Sequence, residues 1–184
     1  MMAMKSPTVI CITETWLSDT VDSPLVAISG YCLCRCDRSS RRGGGTAVYI
    51  KEGTCFLQLE TSSLTFLNCD CCWIDLTQIG VLVICTYIPP SIKAEELSKI
   101  HELLVHEIDN FLTGRPGYHL VILGDFNQFR VPLLCSDLSM VDIVKKPTRG
   151  MSIYLTIFSS QNNSQKFMRN RMFLTIALWV IQII

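Results

Sequence analysis

The chain has 184 residues, 49% hydrophobic and 17% charged, with sixteen basic side chains balancing sixteen acidic ones. This composition excludes a disordered chain, and the length suffices for one core but is marginal for two. The zero net charge gives no support for tight nucleic-acid binding through the surface as a whole, so any such binding needs a local basic patch.

The segment 8–13, TVICIT, predicts a short strand, and Glu14 follows it at once. Residues 24–30 form a link. The stretch 31–36, YCLCRC, alternates and predicts a strand that puts Cys32, Cys34 and Cys36 on one face. Residues 37–45 are polar and basic and end in three glycines, which marks a loop or hairpin. A strand follows at 46–50, with partners at 55–59 and within 64–76. The apolar run 81–88 stops at Pro89-Pro90, which cannot continue a hydrogen-bonded ladder.

From 91 to 111 the period changes. Ile92, Leu97, Ile100, Leu103, Leu104, Ile108 and Phe111 fall near one helical stripe, with Glu95, Glu96, Lys99, Glu102 and Glu107 largely elsewhere. Gly114-Arg-Pro-Gly117 ends the helix. A buried strand is predicted at 120–123, a turn or short helical piece within 136–141, and a further strand at 153–158. The segment 173–184, FLTIALWVIQII, is too short to span a bilayer as a helix and reads either as a buried strand or as an exposed apolar end. Many strands, one clear helix and a late strand–helix–strand unit specify a layered α/β domain.

Ten cysteines suggest a disulfide set, but several sit inside hydrophobic runs, where cysteine packs as a small apolar residue. The first ten residues, MMAMKSPTVI, lack the apolar segment and cleavage site of a secretory signal. Free thiols in an intracellular, reducing compartment are expected, the nucleus being one such place. Cys69 and Cys72 form a CxxC pair, but no second pair follows at zinc-site spacing and no histidine is suitably near.

Glu14 and Asp125 each stand at the end of an apolar strand, where a carboxylate can reach a cleft without full burial. Asp125 and Asn127 lie on the same side if the backbone stays extended there. Two carboxylates and an amide suit Mg²⁺, which keeps waters and binds substrate phosphate; Gly-Asp-Phe-Asn is equally a good turn sequence. Tyr87 ends the 81–88 strand, as a phosphate donor or as a half-buried strand residue. Gly43-Gly-Gly45 lacks the lysine and hydroxyl of a P-loop and reads better as a hairpin. Arg35, Arg38, Arg41 and Arg42 form a small basic patch that fits a phosphate backbone or simple loop solvation. His101 and His106 sit five apart on the helix and His119 begins a strand, so none is assigned as a general base. No G-x-S-x-G elbow occurs.

Several of these pieces occur in one order: Ile12-Thr-Glu-Thr-Trp-Leu17, Arg38 ahead of Gly43-Gly-Gly-Thr-Ala-Val-Tyr49, Tyr87-Ile-Pro-Pro90, Leu123-Gly-Asp-Phe-Asn127 and Pro147-Thr-Arg149. As an ordered set over roughly residues 8 to 160, they resemble the endonuclease/exonuclease/phosphatase family, and within it the endonuclease domain of non-LTR (LINE-type) retrotransposons. The resemblance implies a four-layer α/β/β/α sandwich of the DNase I-like kind, incomplete here, with its active site at one end of two packed sheets. It implies a domain over residues 1–160 that lacks the usual first strand, followed by a divergent hydrophobic tail over 161–184. The implied chemistry is Mg²⁺-dependent hydrolysis of a phosphodiester, with Mn²⁺ as the alternative ion.

By resemblance, Glu14 matches the metal-binding glutamate. Asp125 and Asn127 match the pair that orients the attacking water and contacts the phosphate. Tyr87 matches the tyrosine that positions or stabilises the phosphate, and Arg38, Arg41 and Arg42 lie near the DNA backbone. The implied partners are DNA and a reverse transcriptase domain once downstream, with no membrane and no implied oligomeric state.

The chain also departs from the family. Only seven residues precede Thr8 and none is the asparagine of the usual first strand. Ile88 replaces an arginine, Leu155 falls where an aspartate belongs, and residues 161–184 contain no histidine or aspartate to form the Ser-Asp-His element. Three readings stay open: an Mg²⁺-dependent DNA endonuclease, a catalytically inactive remnant or nucleic-acid-binding module, and a small-molecule phosphoesterase of the same family.

Overall fold

Period-two alternation and short apolar runs build the strands of this chain, and a single long 3.6-residue period builds its main helix. The computed structural model describes residues 6–38, 43–60, 64 and 67–141, together with the backbone of two strands at 156–159 and 176–180. In chain order these are β1 (Val9–Thr13), a 3-10 turn (Ser23–Val26), β2 (Tyr31–Cys36), β3 (Thr46–Lys51), β4 (Leu57–Leu59), β5 (Asp70–Leu76), β6 (Val81–Tyr87), α1 (Ala94–Leu112), β7 (His119–Asp125), α2 (Val131–Asp137), β8 (Thr156–Ser159) and β9 (Ile176–Val180).

The strands form two open sheets, ordered β2-β3-β1-β9 and β4-β5-β6-β7-β8. β5 and β6 are an antiparallel pair, and β6 pairs parallel with β7. The parallel pairing requires a crossover, and α1 supplies it. Its stripe buries Ile100, Leu104 and Ile108. Glu95 and Glu96 lie in its first turn, where they complement the helix dipole, and the Lys93 N–H donates to Glu96 at 3.3 Å.

Strand alternation gives the second sheet two apolar faces. Cys72, Ile74, Val83, Cys85, Val121 and Leu123 face the first sheet and meet Val9, Cys11, Val48 and Ile50. Cys71, Trp73, Leu82, Ile84, Leu120 and Ile122 face the other way and pack under α1 and α2. Cys69 joins Cys71 on the helix side while Cys72 faces between the sheets, so the CxxC pair is split across the sheet. All ten cysteines are free thiols. Among the described residues no helix is long and apolar enough to cross a membrane.

Three expectations need correction or completion. The helical piece placed within 136–141 is α2, which starts at Val131 because Val131 and Leu134 are its buried anchors. Among the described residues the outer face of the first sheet carries no helix. The Ser23–Val26 turn lies against it instead, with the Tyr49 hydroxyl donating to the Val26 carbonyl at 2.7 Å. The described residues thus form sheet, sheet and helix layers. The apolar segment 173–184 contributes a strand, β9, paired parallel with β1. Pro147-Thr-Arg149 and Leu155 lie outside the described residues.

Gly124 is the residue on which β7 reaches the sheet end. It has φ +150, and a Cβ there would stand 1.8 Å from the Thr86 carbonyl oxygen on β6. Backbone cannot give way as a side-chain tip can. Gly124→Ala should therefore cost about 3 kcal/mol or more, from overpacking plus strain. Urea unfolding measures it, and a loss below about 1 kcal/mol would mean that β6 and β7 are not this close.

Candidate functional site

Register sets the site. β5 and β6 place Asp70 opposite Tyr87, and β6 and β7 place Tyr87 opposite Asp125. Neighbours in register share a face, so these three side chains form a row across the second sheet. Their parity is that of Cys72, Cys85 and Leu123, which face the first sheet. Thr13 at the end of β1 pairs with Thr46 at the start of β3, so Glu14 and the Gly43–Gly45 loop enter from that sheet. Among the described residues six of seven buried polar side chains lie at this end: Thr13, Thr15, Thr46, Asp70, Thr86 and Asp125, with Asp75 the exception. Buried polar groups are costly, and their concentration at one end of an apolar sandwich marks it as the working end.

Glu14 and Trp16 both have left-handed backbone, with φ 57 and 55. Such a conformation costs about 1–2 kcal/mol for a residue with a Cβ. Hydrogen bonds to the glycine loop offset it. The Trp16 N–H donates to the Gly44 carbonyl at 2.9 Å. Trp16 Nε1–H donates to Glu14 Oε2 at 2.6 Å, and the Gly44 N–H donates to the same oxygen at 3.1 Å. The Tyr87 hydroxyl lies close enough to Glu14 for that carboxylate to act on the phenol.

Arg38 and Asp70 pin this loop to the second sheet. Arg38 Nε donates to Asp70 Oδ1 at 3.2 Å, and its Nη2 donates to Asp70 Oδ2 and, at 3.3 Å, to the Asn68 carbonyl. The two side chains are 7% and 5% exposed. The Gly45 N–H donates to Asp70 Oδ2 at 2.8 Å. The guanidinium lies 5.3 Å from the centre of the Tyr87 ring, in cation–π range. Gly44 must be glycine for this packing, because a Cβ would fall 2.5 Å from Arg38 Cζ and 2.6 Å from Asp70 Oδ2.

Burial raises the Tyr87 pKa above the ordinary phenol value, and the Glu14 carboxylate adds to it, while Arg38 opposes them. Tyr87 is therefore a neutral donor. Burial also raises the Asp125 carboxyl, the Glu14 charge adds to it, and bonds from Asn127 oppose it. Of the two readings open for Asn127, extended backbone or a turn, the structure shows the turn. Its φ is 45, and its N–H donates to Asp125 Oδ1 at 3.2 Å. The two residues form a turn, and Asn127 Nδ2 anchors it by donating to the Ile88 carbonyl at 2.8 Å.

The structure thus brings Glu14, Tyr87, Asp125 and Asn127 to one end, with Arg38 beside them. Arg41 and Arg42 lie outside the described residues. Sequence reasoning missed Asp70, whose signal was a charge opening the buried strand DCCWIDL. The chain has three histidines. His101 pairs with Asp137 at 2.7 Å and His106 with Asn110 at 2.9 Å, while His119 starts β7 at the end opposite Asp125. Six residue steps of strand separate His119 from Asp125, about 20 Å. A separate cavity of about 420 Å³ between α1 and α2 includes His101 and Arg130 but none of the cluster.

Glu14 and Asp125, with the Asn127 amide, are the groups that would hold the divalent ion implied by the resemblance, an ion that keeps waters and needs few protein ligands. Trp16 Nε1–H and the Gly44 N–H both donate to Glu14 Oε2. Among the described residues no group of three or more His, Cys, Asp or Glu side chains is placed to hold a metal.

No protein-family model matches the chain, and no curated protein matches it in sequence. Solved structures do match in fold. The human Nocturnin catalytic domain with bound sulfate has 14% identity and a TM-score of 0.56, over 84% of this chain and 70% of that one. The Bacteroides thetaiotaomicron mannosyl-6-phosphatase has 12% identity and a TM-score of 0.58, over 83% and 72%. Danio rerio TDP2 complexed with single-strand DNA product has 12% identity and a TM-score of 0.51, over 84% and 72%. The likeness is one of fold: the chain shares an α/β architecture with these solved structures.

The raised Asp125 pKa carries a sign. Between the ordinary carboxyl value of 3.8 and its raised value, the folded state holds a proton that the unfolded chain has lost. Stability therefore falls as pH rises through that window. Asp125→Asn, which keeps the acceptor for the Asn127 N–H, should be more stable than the native chain at pH 7, with the difference closing below about pH 4. Urea unfolding at both pH values measures this; a variant less stable at neutral pH would show that the charged carboxylate is welcome there.

Proposed function

We propose that this chain is a phosphodiester-binding domain of endonuclease type that holds nucleic acid without efficient turnover. One observation carries the reading: the side chains that would meet a phosphate converge, while all three histidines of the chain are placed elsewhere. Loss of general-base assistance alone commonly costs about 10²–10⁴-fold in rate. In this reading Tyr87 and the Asn127 amide contact a phosphate oxygen, Arg38 holds Asp70 and Tyr87 in place, and Arg41 and Arg42 meet the backbone charge of the strand. The sulfate bound to Nocturnin and the DNA product bound to TDP2 are in keeping with such a ligand on this fold.

The proposed ancestry is the endonuclease of a LINE-type retrotransposon, with a reverse transcriptase once downstream and a four-layer sandwich as the complete form. The working domain is residues 1–160, and residues 161–184 are a divergent addition that supplies β9. An intracellular, reducing compartment, the nucleus included, suits the ten free thiols. The rival reading is an active DNA endonuclease using Mg²⁺ or Mn²⁺, and the convergence of Glu14 with Asp125 favours it. The fold also accommodates a small-molecule phosphoesterase, as the mannosyl-6-phosphatase shows for its own chain.

Two assays separate these readings. Purified protein with supercoiled plasmid and Mg²⁺ should nick no faster than Asp125→Ala. A fluorescent single-stranded oligonucleotide should bind with salt-dependent affinity, the log–log slope shrinking by about 0.7 for each arginine removed at 41 and 42. Nicking that disappears in Asp125→Ala would overturn the proposal in favour of the endonuclease, and salt-independent or absent binding would overturn the nucleic-acid reading.

A further inference from the structure

Trp16 is the exposed aromatic ring at the working end. It is 38% exposed, whereas Trp73 in the core is 4% exposed. Exposed indoles are commonly loose, but this one is held from three sides. Its ring N–H bonds to Glu14 Oε2 at 2.6 Å. Its backbone N–H bonds to the Gly44 carbonyl at 2.9 Å. Gly43 passes close beside the ring, where a Cβ would already be in contact at 3.7 Å. The left-handed backbone at Glu14 and Trp16 turns both side chains into this arrangement.

A fixed, partly exposed ring loses little conformational freedom when it receives a flat partner. The ring stands one hydrogen bond from Glu14, whose charge acts on Tyr87 and Asp125 beside it. Nucleic-acid bases are flat and lie one sugar away from their phosphates, and aromatic side chains stack on them regardless of sequence. We propose that Trp16 is the stacking platform for the unpaired base adjoining the phosphodiester held at the Glu14–Tyr87–Asp125 end. The inference rests on the nucleic-acid reading above and names a residue and a ligand feature that this reading does not require. Single-stranded DNA is the ligand, because a paired base hides its faces in the helical stack.

The test compares the full chain's affinity for a single-stranded DNA oligonucleotide with that for an abasic strand of equal length and charge. The base-bearing strand should bind about tenfold more tightly. Trp16→Ala should remove that advantage while leaving binding of the abasic strand. Trp16→Phe, which keeps a ring but loses the bond to Glu14, should keep the advantage. Binding should quench tryptophan emission in the native chain more than in Trp16→Phe, which retains the other two tryptophans. Equal affinity of the native chain for both strands overturns the stacking role and leaves backbone binding intact; failure to bind either strand overturns both. If Trp16→Ala does not fold, the native comparison and Trp16→Phe decide the matter.

Discussion

The buried ion pair between Arg38 and Asp70 holds the working end together. Two charges at 7% and 5% exposure are costly to remove from water, and their attraction compensates only where further hydrogen bonds complete the site. Here the Gly45 N–H and the Asn68 carbonyl complete it. The pair ties the loop of the first sheet to the first residue of β5 in the second. Glu14 reaches the Asp70–Tyr87–Asp125 row through that loop, because the Gly44 N–H holds its carboxylate. The Arg38 cation also relieves the crowding of Glu14, Asp70 and Asp125 around one phenol. It lowers the Tyr87 pKa against the carboxylate that raises it.

Much of the fold is written locally. The helical stripe from Ile100 to Ile108, the alternation in 31–36 and the stop at Pro89-Pro90 each reflect a constraint acting within a few residues. The convergence of Glu14 with Tyr87 and Asp125 is of another kind. It was legible only through the ordered motifs and their resemblance to a family, since spacing along a chain says nothing of distance across it. Asp70 stayed hidden because a carboxylate among cysteines looks like a strand-end charge until its partner, 32 residues earlier, is in view. The turn at Asn127 was open in the sequence as one of two readings. The left-handed backbone there decides for the turn, although the turn itself brings Asn127 beside Asp125.

The proposed separation of binding from turnover rests on the same site. Its donors are rigid: the Tyr87 hydroxyl, the Asn127 amide and the loop N–H groups are set by register and by the Arg38–Asp70 clamp. No histidine lies at this end among the described residues. The histidines are engaged on α1 or stand at the opposite end of β7, and Glu14 Oε2 already accepts bonds from Trp16 and Gly44. A fold can keep a preorganised phosphate-binding end while losing the groups that move protons, because the former is also packing and the latter are not.

The proximity of Glu14 to Asp125 is the claim on which all of this turns. It is read most directly by following the Asp125 side-chain carboxyl through a pH titration by carbon NMR, in the native chain and in Glu14→Gln. The native carboxyl should titrate above 3.8, and removing the Glu14 charge should bring its pKa down. An Asp125 pKa that is the same in both proteins would place the two carboxyl groups too far apart to share a site.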